Sequence, residues 1–490
     1  MTITPRTLLL SILGTGILFV AAFMTLQAQE PDPAKPMNVV FILSDDHRYD
    51  FMGFMETPPF LETPNLDRIR EKGMHIRNAF VSTALCSPSR ASILTGQYAH
   101  RHGVVDNQRL VPEGTVFFPQ LLQDVGYQTA FFGKWHMGQA DDAPRPGFDH
   151  WISFRGQGDY YDPTLNIDGD RIAHQGYTAD ILTDYSLQWL QDRDKDKPFF
   201  LYLSHKSVHS MFEPSEDDLG RYQEYPLEYP ATMANTEENY AGHPPWVGEQ
   251  RYSWHGVDYM YHGEMDFDTF YRRYTETLYS MDKSIGRVLD YLEENDLEEN
   301  TLVIYMSDNG FSFGEHGLID KRHMYEESMR VPMLAYAPGL IEPGSATDAM
   351  IQNIDIAPTI LSLAGHEVPD NMDGRNFMPL LNGKKIAWRD SLIYEYYWEW
   401  NFPQTPTTIG LRDERYKYIF YHGVWGDDEL FDLQEDPLET TNLFSSDAHQ
   451  GIVDAMRTDL FDILEETGGM NIPLRIPQGF RAAEKGNMNE

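Results

Sequence analysis

The run Val39-Val40-Phe41-Ile42-Leu43 is apolar at every position and is followed at once by Ser44-Asp45-Asp46. A strand with one wet face alternates between apolar and polar residues. An unbroken apolar run needs cover on both faces, as in a parallel strand with helices above and below it. Residues 199–203 and 302–306 repeat the pattern, and 127–132 and 331–337 are weaker versions of it. Helix-like stretches lie between these runs. Residues 65–72 place Leu66 and Ile69 on one face. Residues 267–294 carry Tyr271, Tyr274, Leu278, Met281, Ile285, Val288 and Leu292 at three- and four-residue steps. This alternation predicts an α/β fold whose large central sheet is mostly parallel and sandwiched by helices. The chain has 490 residues, 41% of them hydrophobic, enough to bury such a core.

Past about residue 385 the texture changes. Residues 391–397, 407–412, 416–420 and 429–432 read as short strands with turns between them, and 451–466 as a closing helix. We therefore expect a catalytic domain over 37–385 and a smaller antiparallel C-terminal subdomain with its tail over 386–490. Residues 210–262 are rich in Pro, Tyr, Glu and Gly and break the strand–helix rhythm. They read as an insertion that shapes a substrate cleft, since long loops concentrate function.

Arg6 followed by an almost wholly apolar stretch over 8–26, with Ala28 at a cleavage point, reads as an export signal over 1–28. A proline-rich linker follows at 29–36. The folded part is then expected outside the cytoplasm, periplasmic or secreted, with no stable membrane insertion after cleavage. Lys plus Arg total 38 and Asp plus Glu 76, a formal net charge of −38. Nucleic acid is excluded as a partner, because phosphate backbones need basic stripes. Any anion must bind in a locally basic pocket. The single cysteine, Cys86, leaves no internal disulfide.

In open α/β sheets, ligands bind beyond the carboxyl ends of the strands. Asp45-Asp46, Lys134 with His136, His205 with His209, and Asp308-Asn309 each follow an apolar run, so all should converge on one rim. Asp45, Asp46, Asp308 and Asn309 offer hard oxygen donors, suited to Ca²⁺ or Mg²⁺ rather than Zn²⁺. Cys86 heads Cys86-Ser87-Pro88-Ser89-Arg90, with Ser87 expected as N-cap, Pro88 as the first helical residue and Gly96 as the stop.

This segment, continued by Leu94-Thr95-Gly96, resembles the signature of the type I, formylglycine-dependent sulfatases of the alkaline phosphatase-like superfamily. The resemblance runs from about residue 37 to about 445. It includes Gly133-Lys134-Trp135-His136, Ser307-Asp308-Asn309-Gly310, Gly314-Glu315-His316-Gly317, Lys321, Tyr325-Glu326 and Leu430-Phe431-Asp432-Leu433. It is nearest the glycan sulfatases, N-acetylglucosamine-6-sulfatase-like. The resemblance implies that a formylglycine-generating maturation enzyme oxidises Cys86 to 3-oxoalanine, whose hydrate is the nucleophile. It further implies one Ca²⁺, with Mg²⁺ second, held by Asp45, Asp46, residue 86, Asp308 and Asn309. Catalytic roles fall to Arg90, Lys134, His136, His209 and Lys321. The implied substrate is a sulfated polysaccharide or its oligosaccharides, algal or glycosaminoglycan. From the residues themselves, Arg251, His255, Glu395, Trp398 and Arg412 are further candidates for sugar or anion contacts. A phosphate or phosphonate ester hydrolase of the same superfamily, and a non-enzymatic glycan-binding protein, are the alternatives.

Overall fold

The computed structural model describes residues 36–138, 141–263 and 265–473. The expected export segment and all but the last residue of the linker lie outside the described residues. Among the described residues no helix is long and apolar enough to cross a membrane. In chain order the strands are β1 Asn38–Ser44, β2 Met74–Ile76, β3 Ala79–Phe80, β4 Gln128–Lys134, β5 His150–Phe154, β6 Thr164–Ile167, β7 Asp170–Ala173 and β8 Phe199–Ser204. They continue with β9 Thr301–Ser307, β10 Met333–Tyr336, β11 Ser345–Thr347, β12 Ile351–Gln352, β13 Ser391–Tyr396, β14 Thr408–Asp413, β15 Tyr416–Tyr421 and β16 Glu429–Asp432.

Ten strands form the main sheet in the order β11-β2-β10-β9-β1-β8-β4-β5-β6-β7. Its centre, β9-β1-β8-β4-β5, is parallel throughout. The alternation inside β1 explains its unbroken apolar run. Val39, Phe41 and Leu43 face one core, and Val40 and Ile42 face the other. The second core is closed by the helices Pro64–Lys72, Thr178–Asp192 and Phe267–Glu294. The first is closed by Cys86–Thr95, Phe118–Asp124 and Ile356–Leu363. Antiparallel pairs flank this centre: β10 runs against both β9 and β2, and β6 against β5 and β7, while the edge strand β11 lies parallel to β2. The chain leaves β9, loops over the carboxyl rim and returns as β10 without a crossover helix to reverse it.

Helix ends are held by side chains. Asp266 accepts from Thr269 N at 2.8 Å and starts the 28-residue helix. Asp282, inside that helix, accepts from Asn65 N and Leu66 N at 3.0 and 2.8 Å, tying it to the start of Pro64–Lys72. Such caps satisfy donors that a helix cannot bond internally.

The small sheet, β13-β14-β15-β16, is antiparallel throughout. The helix Gln450–Thr467 lays Val453, Met456, Leu460 and Leu464 against its Ile409, Leu411 and Tyr418. Buried ion pairs fasten this sheet to the rest. Lys417 Nζ lies 2.9 Å from Glu326 and 2.8 Å from Glu439, and Arg412 Nε donates to Glu326 at 2.8 Å. From Pro36 onward the described chain is a single compact unit.

Candidate active site

Strand register places the acidic pairs. Ser44 of β1 pairs with Ser307 of β9, so Asp45-Asp46 and Asp308-Asn309 emerge side by side at the same rim. On the other flank Leu43 pairs with Ser204 of β8, and Ser204 with Gly133 of β4. That brings Lys134 and His136 to the same place. Gly133 has φ of 116°, and a Cβ there would lie 1.8 Å from the Ser204 carbonyl oxygen, so only glycine lets the strands approach so closely. Asp46 and His136 both sit at left-handed φ, 57° and 58°. A non-glycine residue is held there only when its surroundings over-determine it, and such strain clusters at functional sites.

Cys86 is the first residue of the helix Cys86–Thr95, whose entire surface is buried. The expected cap is corrected here. Leu85 occupies the N-cap position, and Ser87 Oγ instead donates to the His136 carbonyl at 2.7 Å. The cap comes from elsewhere in the chain: Asn107 Oδ1 accepts from Ser87 N at 3.0 Å. Gly96 ends the helix at φ of 68°, as expected.

Three carboxylates and three cations interlock above Cys86. Asp45 Oδ2 is bonded by Lys134 Nζ and by Arg90 Nη2 at 3.2 Å, and Cys86 Sγ lies 3.6 Å from its Oδ1. Asp46 Oδ1 accepts from Lys321 Nζ and from Asn309 Nδ2, the latter at 2.6 Å. Asp308 Oδ2 accepts from Arg90 Nε at 2.9 Å and pairs with Nη2 at 2.8 Å. Arg90 Nη1 completes its set on the Lys134 carbonyl and Ser204 Oγ, at 2.7 and 2.6 Å. All three nitrogens of Arg90 are thus engaged, and it acts on the carboxylates beside it. Lys321 Nζ reaches Cys86 Sγ at 3.4 Å.

Burial and charge pull these groups apart. Burial works to raise Asp45, but Lys134 and Arg90 hold it well below the usual carboxylate range. Burial raises Asp46 to about 7 and lifts Asp308, each reinforced by a neighbouring carboxylate. The Cys86 thiol is pushed up to about 12, first by burial and then by Asp45. Burial opposes the Lys321 charge, yet Asp46 raises its pKa well above the ordinary value. His209 and His136 are held well below theirs by burial and then by Lys134.

Two buried oxygens here have no hydrogen-bond partner, Asp46 Oδ2 and Asn309 Oδ1. Ligand atoms of Asp45, Asp46 and Asp308 all lie within 4.8 Å of one another. Buried oxygens left unpaired are costly, and an all-oxygen donor set fits a hard divalent cation. The residues present therefore fit a divalent metal ion.

A pocket of about 380 Å³ opens beside this cluster, lined by Asp46, His209 and Lys321 and, further out, by Asn107, Gln108, Gln157, Ser210, Met211, Trp254, Asp320, Arg322, Asn401 and Phe402. The insertion thus contributes Ser210, Met211 and Trp254. His209 Nδ1 lies 2.6 Å from the Ser210 carbonyl, which leaves Nε2 as its free edge, 3.9 Å from Asp46. His136 Nε2 is buried without a partner.

The five further candidates do not line this pocket. Arg251 is spent on Asp258, the Met233 carbonyl and Tyr240. Arg412 is spent on Glu326. Glu395 is fully buried and holds His100 at 2.8 Å. His255 packs behind the wall, 3.5 Å from Asp320, and burial drops its pKa to about 3. Trp398 is exposed, on the loop that carries Asn401 and Phe402. The residues that sequence reasoning missed are the amides Asn107, Gln108, Gln157 and Asn401, which stand in polar loops with no periodicity to mark them. Asp320 and Arg322, flanking Lys321, carried a usable signal.

Comparison with known proteins gives consistent matches. The family model described as Sulfatase matches residues 37–366, and that of the N-sulphoglucosamine sulphohydrolase C-terminal region matches 314–466. An N-acetylglucosamine-6-O-sulfatase of Bacteroides thetaiotaomicron is 32% identical over 524 residues, covering 94% of this chain and 90% of that one. The N-acetylglucosamine-6-sulfatase of Capra hircus is 33% identical over 405 residues, 76% of this chain and 69% of that one. A solved structure of a protein in complex with its substrate, D-glucosamine-2-N,6-O-disulfate, superposes with a TM-score of 0.79 at 31% identity, covering 90% of this chain and 100% of that chain.

Proposed function

Since this chain belongs to the sulfatase family and is a sulfuric ester hydrolase, we propose that it removes 6-O-sulfate from hexosamine residues of a sulfated glycan, with residue 86 as a formylglycine. The observation that carries the reading is the junction of Cys86, Lys321 and the Asp45–Asp46–Asp308 cluster, which meets the pocket through Asp46 and Lys321. The hexosamine preference rests on the two sulfatases above and on the disulfated sugar bound in the solved neighbour.

Asp45, Asp46, Asp308 and Asn309 would hold the cation, Ca²⁺ before Mg²⁺. When bound it would supply Lewis-acid polarisation of the sulfate and stabilise an ionised hydroxyl on residue 86. Its charge also fits the local balance. The three cluster carboxylates are offset by Arg90, Lys134 and Lys321. Adding a dication makes the floor positive, and an anionic ester is then favoured inside a protein of net charge −38.

The chain's own residues do the rest. The oxidised residue 86 keeps the Cys86 position at the head of its helix, where one hydroxyl of the aldehyde hydrate faces the pocket. That oxygen attacks sulfur as the bond from sulfur to the sugar oxygen breaks. Lys134 and Lys321 stabilise charge on the transferring group, the kind of term that dominates such reactions. Lys321 and His209 stand on the leaving-group side, where Lys321 carries the proton for the sugar oxygen and the bare Nε2 of His209 orients that donor. The second hydroxyl of residue 86 then loses its proton, with the free Nε2 of His136 as acceptor. The bond from carbon to the sulfate oxygen breaks, which restores the aldehyde and frees sulfate. A serine in this position would stop at a stable sulfate ester.

Cys86 is fully buried, so its conversion by a maturation enzyme has to precede folding. An export signal over 1–28 completes the reading, with action on glycans outside the cytoplasm. The test is sulfate release from hexosamine 6-sulfates and from intact and digested glycosaminoglycans and algal polymers, with peptide mass reporting residue 86. Release by wild type and none by Cys86→Ala or Cys86→Ser is expected. Repeated turnover by either variant, or turnover of phosphate or phosphonate esters alone, would refute it.

A further inference from the structure

The catalytic groups assigned so far are all charged or titratable. We propose that a neutral one joins them: the side-chain amide of Asn107 donates a hydrogen bond to a non-bridging oxygen of the transferring sulfuryl group. The inference rests on the sulfatase reading and adds a catalytic residue to it.

The two ends of the Asn107 amide have different surroundings. Oδ1 accepts at 3.0 Å from the backbone N of Ser87, the residue next to Cys86. A backbone N–H is a donor, so oxygen must face it, and this fixes which way the amide is turned. Nδ2 is left on the other side. It has no hydrogen-bond partner among the described residues, yet it is not one of the buried unpaired atoms, so it reaches open space. Asn107 is 6% exposed and lines the same pocket as Lys321, which is the space Nδ2 opens into. Lys321 Nζ touches Cys86 Sγ at 3.4 Å, and Asn107 holds the backbone one residue further on. An anion bound at residue 86 therefore lies between a charged donor and a neutral one.

The segment that carries Asn107 is tied to the same helix at a second place. His102 Nδ1 accepts from Val104 N at 3.1 Å, so Nε2 carries the proton and donates to Ser92 Oγ at 3.1 Å. Burial drops the His102 pKa to about 3 and keeps the ring neutral in that tautomer. Val104 and Val105 are both buried. A donor mounted in this way is aimed before substrate arrives, which is what makes it effective on charge that develops during reaction. The residue type argues for the same role. At a helix N-terminus aspartate caps as well as asparagine, and its charge suits the helix dipole. Capping alone gives no reason for the neutral residue. An anion bound beside it does, because asparagine offers a donor where aspartate would repel.

The experiment uses full-length enzyme with N-acetylglucosamine 6-sulfate and an aryl sulfate. Rates are normalised to the fraction of residue 86 matured, read by peptide mass. Asn107→Ala removes both the donor and the cap. Asn107→Asp keeps an oxygen for Ser87 N and replaces the donor by an anion. Each is expected to lower kcat/KM about a hundredfold or more, the loss seen when one such donor is removed. The loss should be equal for the two substrates, because the donor acts on sulfuryl oxygens and not on the leaving group. Inhibition by inorganic sulfate should weaken about tenfold in both variants, since a hydrogen bond to an anion is lost. Asn107→Asp should hold the urea midpoint better than Asn107→Ala, which separates the loss of activity from the loss of the cap. A kcat/KM for Asn107→Asp within about threefold of wild type, a loss confined to the sugar, or unchanged sulfate inhibition in Asn107→Ala would overturn the assignment and leave the sulfatase reading intact. The alanine arm decides the matter even where the aspartate variant fails to fold. No release from either substrate by matured wild type would overturn both.

Discussion

Arg90→Met is the sharpest probe of how the floor is held. Arg90 is 1% exposed and spends all three of its nitrogens on Asp308, Asp45, the Lys134 carbonyl and Ser204 Oγ. Methionine keeps most of the stem and its packing, so the loss is electrostatic. Removing one partner from a buried ion pair costs about 3–5 kcal/mol, because the remaining charge stays buried without compensation. Hydrogen bonds to a charged group add about 1.5–3 kcal/mol each, but bonds made by one guanidinium do not sum. Lys134 still faces Asp45, and Asp308 still accepts from Asp46 N at 3.1 Å, so part of the charge remains covered. We expect about 4 kcal/mol of lost stability without added metal, read from the shift in urea midpoint at unchanged slope. A divalent cation bound among the same carboxylates should return part of that loss. Arg90→Lys keeps a charge but not the fork, and should fall between. A loss below about 1 kcal/mol for Arg90→Met, with no added response to cation, would refute the assignment of Arg90 as the counterweight to the acidic ligands.

Metal removal should act on stability as well as on activity. At a free Ca²⁺ concentration about a hundredfold above its Kd the folded state gains about 2.7 kcal/mol, so chelation should lower the unfolding midpoint of wild type. Asp46→Asn together with Asp308→Asn should show no such shift, and an equal shift in that variant would move the site elsewhere. The pair His100–Glu395, at 2.8 Å, joins the segment behind the Cys86 helix to β13. Burial lowers the pKa of His100, but Glu395 outweighs it and raises the pKa above the ordinary 6.5. A raised folded-state value means that the pair's stability is present in full below about pH 6.5 and fades as pH rises through the folded value. His100→Gln should flatten that part of the stability–pH curve above pH 6.5, and an unchanged curve would show that the pair contributes nothing.

The central sheet was legible because its constraint is local. A strand buried on both faces has no room for polar residues, so β1, β8 and β9 announce themselves in the sequence. The rim positions were legible for the same reason, as polar residues directly following such runs. The small sheet was read from turn spacing within a residue or two. The antiparallel pairs flanking the centre were hidden, because the direction of β10 depends on a loop path that no local pattern encodes. The cap on the Cys86 helix was misplaced on Ser87 because capping depends on which chain passes nearby, and Asn107 comes from a separate loop. The wall amides were hidden in the same way. Loop residues bear no periodicity, and only tertiary approach gives Gln157 and Asn401 a shared pocket.

The charge assignments failed for a physical reason that generalises. Arg251 and Arg412 looked like anion binders because each is a cation in a strongly acidic chain. In such a chain, however, a buried arginine is surrounded by more carboxylates than it can avoid. Arg48 lies between Asp50 and Glu315, Arg412 on Glu326, and Arg389 on Asp355. Free positive charge is therefore scarce and is concentrated where the backbone forces cations together. Lys134, Arg90 and Lys321 meet over the parallel strand ends because three separate segments converge there. An anionic group is drawn to the place where those three cations meet.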